Sequence, residues 1–437
     1  MCRFTLAGIG TAAFITLASQ PTLAAPAITL KASFNYTNGY LPTTELTPAG
    51  NGLFYGTTSG GGYGNAGTIF EFDPSSGGIS VKASFNSANG KQPEASLTPA
   101  GNGKFYGTTI FGGSTNNGSL FQFDPSSGGI ALIFSLPPGY IVQAALTPAG
   151  NGLFYGTAFG GGCGGYGCVF KFDPSIGYLY PFYFNRFDGS TPGAALTLAS
   201  NGKFYGTTLY GGANNVGSIF EFDPSNGVIT GKASFNGANG RNPYAELTPD
   251  GNGKFYGTTL YGGANNVGSI FEFDPTSGGI SIRASFAGAN GAQPKAALTP
   301  AGNGKFYGTT SYGGANNQGS IFEFDPSVGD IALMASFDGA SGANPTAALV
   351  QAGNGLFYGT ANNGGANGAG SIFEFDPTSG TSLPGVPGPL PLMGVTAAFG
   401  WSRKIRRHIQ LLKSTARNRT LDAYLDCEKS GLEPGGL

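Results

Sequence analysis

Histidine is all but missing: the 437-residue chain has one, His408, close to its C-terminal end. That excludes a Ser-His or Cys-His nucleophile pair, and any histidine-rich zinc or copper set, from everything upstream. Cysteine is nearly as scarce. Cys2 and Cys427 lie near the ends, and only Cys163 and Cys168 lie in the body, a spacing that is not a CxxC redox motif and would need further ligands to hold a metal. Charge is thin, at 10% of residues, and residues 28–380 carry 13 Lys/Arg against 19 Asp/Glu, a net of −6. Nucleic-acid backbones are held by clustered Lys and Arg, so this acidic body excludes them as partners. The glycine-rich loops lack the Lys-Ser/Thr pair and the following helix of a phosphate loop.

What the chain has instead is glycine and aromatics, 78 Gly, 35 Phe and 20 Tyr. Disordered chains are poor in aromatics, so this composition predicts turn-rich β structure. The phrase "NGKFYGTT" at residues 201–208 occurs seven times with small variations, its tyrosine falling at Tyr55, Tyr106, Tyr155, Tyr205, Tyr256, Tyr307 and Tyr358. Intervals of 49 to 51 residues make the body a tandem array. Residues 244–286 show one period: "YAELTP", the turn "DGNG", "KFYGTT", the loop "LYGGANNVG", "SIFEF", the turn "DPTSGG" and "ISIRASF". The last piece alternates strictly and predicts a strand with Ile280, Ile282, Ala284 and Phe286 on one face. No unit contains a helix-length run of period 3.6. The Asp-Pro-Ser/Thr-Gly phrase is turn chemistry, so Asp73, Asp124, Asp173, Asp223, Asp274, Asp325 and Asp376 are expected to shape hairpins rather than to act as acids.

Four short strands per period and seven copies predict an all-β fold, a seven-bladed β-propeller of four-stranded antiparallel blades. A parallel β-helix would need far shorter repeats. The ends decide between a ring and a row. The seventh unit stops after "SIFEFDPTSG" without a fourth strand, and an orphan fourth strand, "ITLKASF" at 28–34, precedes the first unit. Pairing the two closes the ring and removes an exposed edge. On this plan the "AALTPA" piece lines the central channel, where small side chains fit, and "KFYGTT", "SIFEF" and "ISIRASF" follow outward. The Phe and Tyr of "FYG" point to opposite blade faces, at least one against the next blade.

The unit "ALTPAGNGKFYGTT…GGANN.GSIFEFDP.SG" resembles the GloVer tandem repeat of bacterial secreted proteins over nearly all of residues 28–380, a family similar to kelch-type propellers. The resemblance implies the fold and no particular reaction. The single tryptophan, Trp401, lies outside the ring, unlike the Trp-docked blades of quinone-cofactor propellers. The start, "MCRFTLAGIGTAAFITLASQPTLAAPA", has the basic, apolar and small-residue regions of a secretory signal, assigned to residues 1–24. Residues 381–389 read as a Pro/Gly linker and motif, 390–408 as a short apolar span with a basic cluster, and 409–437 as a disordered extension. Val386-Pro387-Gly388-Pro389, the span, and Arg403, Lys404, Arg406 and Arg407 resemble in order a PEP-CTERM sorting signal. That resemblance implies an exosortase-like sorting enzyme as partner and transient membrane contact through the C-terminal segment. The chain departs from the pattern with Gly in place of Glu, a span of about a dozen residues, and 29 residues after His408.

Candidate sites are few. Cys163 and Cys168, flanking a Gly-rich loop of an exported chain, are expected to form a local disulfide. Both long loops of each unit fall on one rim, which carries an aromatic before Gly-Gly in five blades: Phe111, Phe159, Tyr210, Tyr261 and Tyr312. Asn214-Asn215 and Asn265-Asn266 follow two of them. Aromatic faces beside amides suit sugar rings, although such rings also plug loops against a blade. The third unit departs from the pattern at "YLYPFYFNRF", residues 178–187, read as a repacked outer strand before a partner contact. The expectation is an exported, monomeric, non-enzymatic propeller without cofactor or metal, structural or adhesive and contacting extracellular polysaccharide. The alternative is a carbohydrate-active hydrolase or lyase working with two carboxylates.

Overall fold

Turn chemistry sets the local structure. In all seven Asp-Pro turns the aspartate Oδ1 accepts the backbone N–H two residues on, from Asp73 and Ser75 at 2.8 Å to Asp376 and Thr378 at 2.8 Å. The other hairpin works the same way in six units, as where Asn51 Oδ1 accepts the Leu53 N–H at 3.1 Å between Gly50 and Gly52 at φ 83° and 84°; in the fifth unit Asp250 Oδ1 accepts the Asn252 and Lys254 N–H groups instead, at 2.7 and 2.9 Å. Each unit therefore folds as an antiparallel meander.

The computed structural model describes residues 28–160 and 163–379. The signal-peptide, linker, sorting-motif and extension assignments made above (residues 1–24 and 381–437) lie outside the described residues. Strands Thr47–Pro48, Phe54–Thr58, Thr68–Asp73 and Gly78–Ser84 form the first blade in that spatial order, and five more blades follow in register. Blade 5 adds the short strand Arg241–Pro243 against Phe255–Tyr261. The seventh combines Val350–Gln351, Phe357–Ala361 and Ser371–Phe375 with Ile28–Ser33 from the start of the ring. Ile28 stands opposite Phe375 and Ser33 opposite Ser371, antiparallel. The chain is an all-β, seven-bladed propeller closed by its N-terminal strand.

The repeated aromatics form the blade interfaces. Tyr155 lies 4.8 Å from Phe204 and 5.4 Å from Phe222 of the next blade, and this triangle recurs around the ring until Tyr358 meets Phe54 and Phe72 at 5.7 Å. A second contact joins the last phenylalanine of one outer strand to the third strand of the following blade: Phe235 to Phe271 at 5.0 Å, and Phe34 to Phe70 at 5.0 Å across the closure. All of these rings are buried, each contributing roughly 1.5–3 kcal/mol of hydrophobic stabilisation. Hydroxyls bridge the same interfaces nearer the axis. The hydroxyls of Thr47, Thr98, Thr147, Thr197, Thr248 and Thr299 each donate to a leucine carbonyl of the next blade at 2.7–2.9 Å, and Val350 leaves the seventh place without such a bond.

The glycine of "FYG" is steric. A Cβ on Gly206 would stand 2.5 Å from Phe220 Cζ, inside the ring that covers it. Gly206→Ala is expected to lower stability by about 1–3 kcal/mol through overpacking, measured by denaturant unfolding; an unchanged midpoint would mean the ring shifts without cost.

One expectation requires correction. The alternating outer strand does not keep Ile280, Ile282, Ala284 and Phe286 on a single face. Ile282 pairs with Phe271 and Ala284 with Ile270, which leaves Arg283 as a bulge. The extra residue reverses the alternation. Ile280 and Ile282 pack with Tyr205 toward blade 4, whereas Ala284 and Phe286 pack with Tyr256 and Phe306 toward blade 6. The closing strand has the same irregularity between Leu30 and Ala32. In blade 3 the ladder Cys168–Asp173 with Tyr178–Tyr183 is continuous. There "YLYPFYFNRF" is the outer strand with its exit: Phe182 and Phe184 pack on Phe222 and Phe220, while Tyr178, Tyr180 and Tyr183 face outward.

Candidate functional site

The antiparallel meander puts both tight hairpins of every blade on one rim and both long loops on the other. On the long-loop rim each of the five aromatics is held by a bridge to the segment entering its own blade: Phe111 to Lys91, Phe159 to Ile141, Tyr210 to Ser190, Tyr261 to Arg241 and Tyr312 to Ala292. Phe111, Tyr210 and Tyr312 are 46%, 49% and 42% exposed. Phe159 and Tyr261 are half-buried, and the Arg241 guanidinium lies 5.0 Å from the Tyr261 ring. The asparagines serve the loops. Asn214 and Asn265 Nδ2 donate to Phe235 O and Phe286 O, each at 2.8 Å. Asn215 and Asn266, both at φ 56°, accept the Gly211 and Gly262 N–H groups at 3.2 and 3.1 Å. In the matching loop of blade 3, a disulfide joins Cys163 and Cys168 (Cα–Cα 5.4 Å).

The channel departs further from what the sequence suggests. In each unit the residues before the innermost strand alternate buried and half-exposed. Pro243, Ala245 and Leu247 are buried; Tyr244 and Glu246 line the channel. The lining is small at Ala145, Ala195, Ala297 and Ala348 of the deeper level, as expected. Glu45 and Glu246 also stand at that level. Nearer the long-loop rim come Glu94, Gln143, Tyr244 and Lys295. Glu45 of blade 1 and Glu246 of blade 5 interact electrostatically although three blades apart, and so do Glu94 and Tyr244. The alternation of burial turns all of these side chains away from the blade interfaces and toward the channel.

Charge is not balanced there. Gln143 Nε2 donates to Glu94 Oε2 at 2.7 Å. The Glu45 carboxylate accepts no hydrogen bond among the described residues, and only its backbone N–H is engaged, by Ser96 Oγ at 3.0 Å. Thr197 Oγ1 lies 3.5 Å from Glu246 Oε1, but its single proton is directed to Leu247 O at 2.7 Å. A water can touch both carboxylates, yet protein surrounds them, and desolvation pushes Glu45 up to about 7 and Glu246 to about 8, the latter helped by the charge of Glu45. Burial likewise raises Tyr244, with Glu94 adding to it. The third-strand glutamates Glu71, Glu221, Glu272, Glu323 and Glu374, by contrast, each have a lysine within 2.6–3.4 Å.

The only sequence signal for this set is a departure from the repeat: glutamate at Glu45 and Glu246 where other units carry Ala or Ser. Elsewhere, a cleft of about 350 Å³ on the tight-hairpin rim lies between blades 4 and 5. Its Asn201 and Lys254 are already bonded to Tyr205 and Glu272. Among the described residues no group of three or more His, Cys, Asp or Glu could hold a metal, and no helix is long and apolar enough to cross a membrane.

The chain belongs to the Gloeobacter/Verrucomicrobia repeat family, whose model matches residues 19–148, 133–303 and 284–383. No sequence among curated proteins matches it. Among solved structures it is similar to oligogalacturonate lyase from Vibrio parahaemolyticus, at 10% identity and TM-score 0.51 over 80% of this chain and 93% of that one. It is also similar to the extracellular domain assigned to a hybrid two-component system of B. thetaiotaomicron, at 11% identity and TM-score 0.50 over 80% of this chain. The match spans 38% of that longer protein. Both likenesses are of fold.

Proposed function

We propose, with membership of this repeat family as premise, that the chain is an exported, non-enzymatic propeller that binds extracellular polysaccharide through its long-loop rim. One observation carries the reading: Phe111, Tyr210 and Tyr312 stand at equivalent positions of blades 2, 4 and 6, each more than two-fifths exposed. Exposed rings held by backbone bridges offer flat apolar faces at little ordering cost, and a sugar's C–H face gains from covering them. The short leader-like start and the PEP-CTERM-like tail support export and surface display through an exosortase-like enzyme. A titratable carboxylate pair is no part of this reading, and the ring is expected to act as a monomer.

The test is retention on insoluble polysaccharides by wild type and by the triple variant Phe111→Ala, Tyr210→Ala, Tyr312→Ala. The variant is expected to lose at least tenfold in retention while its melting temperature stays within a few degrees, since surface truncations cost little. Equal retention would remove the rim from consideration. Release of soluble sugar during incubation would replace binding by catalysis.

A further inference from the structure

We infer that the channel floor is a binding site for a primary ammonium group, entering from the long-loop rim and held between Glu45 and Glu246 below Tyr244. The site is distinct from the aromatic rim and does not rest on it. Three observations converge. The protein gives a lysine to each of the five third-strand glutamates but none to these two. They occupy equivalent channel-lining positions, at one level of the ring, in blades 1 and 5, so a guest on the axis lies in the field of both. The one cation nearby, Lys295, sits a level nearer the mouth and makes no ion pair among the described residues.

The chemistry favours an ammonium over a metal ion. Calcium takes 6–8 oxygens, whereas beside the two carboxylates this level offers Ser96 and the methyl groups of Ala145, Ala195, Ala297 and Ala348. An ammonium needs few acceptors, brings three donors of its own, and gains from an aromatic face such as that of Tyr244. Charge pairing in this enclosed space is worth more than at the surface.

The groups that set its pH dependence are Glu45, Glu246, Glu94, Tyr244 and Lys295. Binding requires ionised carboxylates, so affinity rises with pH through neutrality while the amine stays charged.

Saturation-transfer NMR with n-butylammonium, and with 1-butanol as its neutral counterpart, tests the assignment. Wild type is expected to give transfer to n-butylammonium and none to 1-butanol, growing between pH 6 and pH 9. Glu45→Gln with Glu246→Gln keeps size and removes charge, and is expected to abolish the signal. Lys295→Ala removes the competing positive charge and is expected to tighten binding at least threefold. The rim triple variant keeps the signal, which separates failure at this site from failure of the rim. Equal transfer to 1-butanol, a signal surviving in the double glutamine variant, or displacement of the amine by equimolar calcium overturns the assignment. Melting curves of the double variant at pH 8.5 at or above wild type show that a lost signal is not unfolding.

Discussion

Deleting residues 28–34 is expected to leave a chain that fails to fold as a stable monomer, and adding the peptide Ile-Thr-Leu-Lys-Ala-Ser-Phe in trans is expected to restore it. The strand supplies five paired positions to the last blade and ends in Phe34, fully buried against Phe70 of the first. Loss of that one phenylalanine side chain costs about 3–5 kcal/mol. Removing the ladder adds to this and leaves Ser371–Phe375 as an open edge. Against a typical stability of about 5–15 kcal/mol the sum is most of what there is. Rescue by the peptide follows because an edge strand with a vacant neighbour is a ready template for strand addition. The measurements are size-exclusion elution and protease resistance, with and without peptide. A deleted chain that stays monomeric and melts like the parent would refute ring closure as the source of stability.

The second large effect is with pH. Glu45 and Glu246 have folded values near 7 and 8 against about 4.5 in the unfolded chain. The folded state therefore binds more protons between these limits. Their contribution is complete below about pH 4.5 and is lost as pH rises through 7 to 8, when two charges must be carried in an enclosed channel. The loss from pH 5 to pH 9 is expected to be on the order of a few kcal/mol, because each tenfold difference in proton affinity between folded and unfolded chain is worth about 1.4 kcal/mol. Glu45→Gln with Glu246→Gln should flatten the profile and be the more stable protein at pH 9. The Asp-Pro turns act oppositely and in another window. Hydrogen bonds from Ser75 and Ser76 hold Asp73 down at about 2, so its help is present above about 3.8 and fades toward pH 2. Urea midpoints across the range would separate the two limbs. A wild-type profile flat from pH 5 to pH 9 would show the channel carboxylates to be better solvated than their surroundings indicate.

The parts of this molecule visible in sequence are those fixed by local chemistry repeated seven times. Asp73 and its six counterparts read as turns because the chain needs the same hairpin at each, and the tyrosine interval gave blade number. The missing fourth strand after Ser371–Phe375 and the orphan Ile28–Ser33 made closure a matter of counting. Two features resisted for physical reasons. The bulge at Arg283 leaves apolar alternation intact in the letters while exchanging the faces they address. The channel pair is 201 positions apart in sequence, Glu45 and Glu246, and becomes a pair only when the ring brings blades 1 and 5 across from each other. Rim aromatics were legible as positions. Their different exposures depend on neighbours such as Arg241, which no periodicity encodes.

The joint between the first strand and the last blade is indifferent to how many units lie between them. It uses the same kind of outer strand that ends the other units, with the bulge and terminal phenylalanine seen, for example, in blade 1. A gene that gained or lost one whole copy would still encode both halves of the clasp. Copy number is thus limited by the wedge of aromatic rings between neighbouring blades, which sets how far each turns from the last.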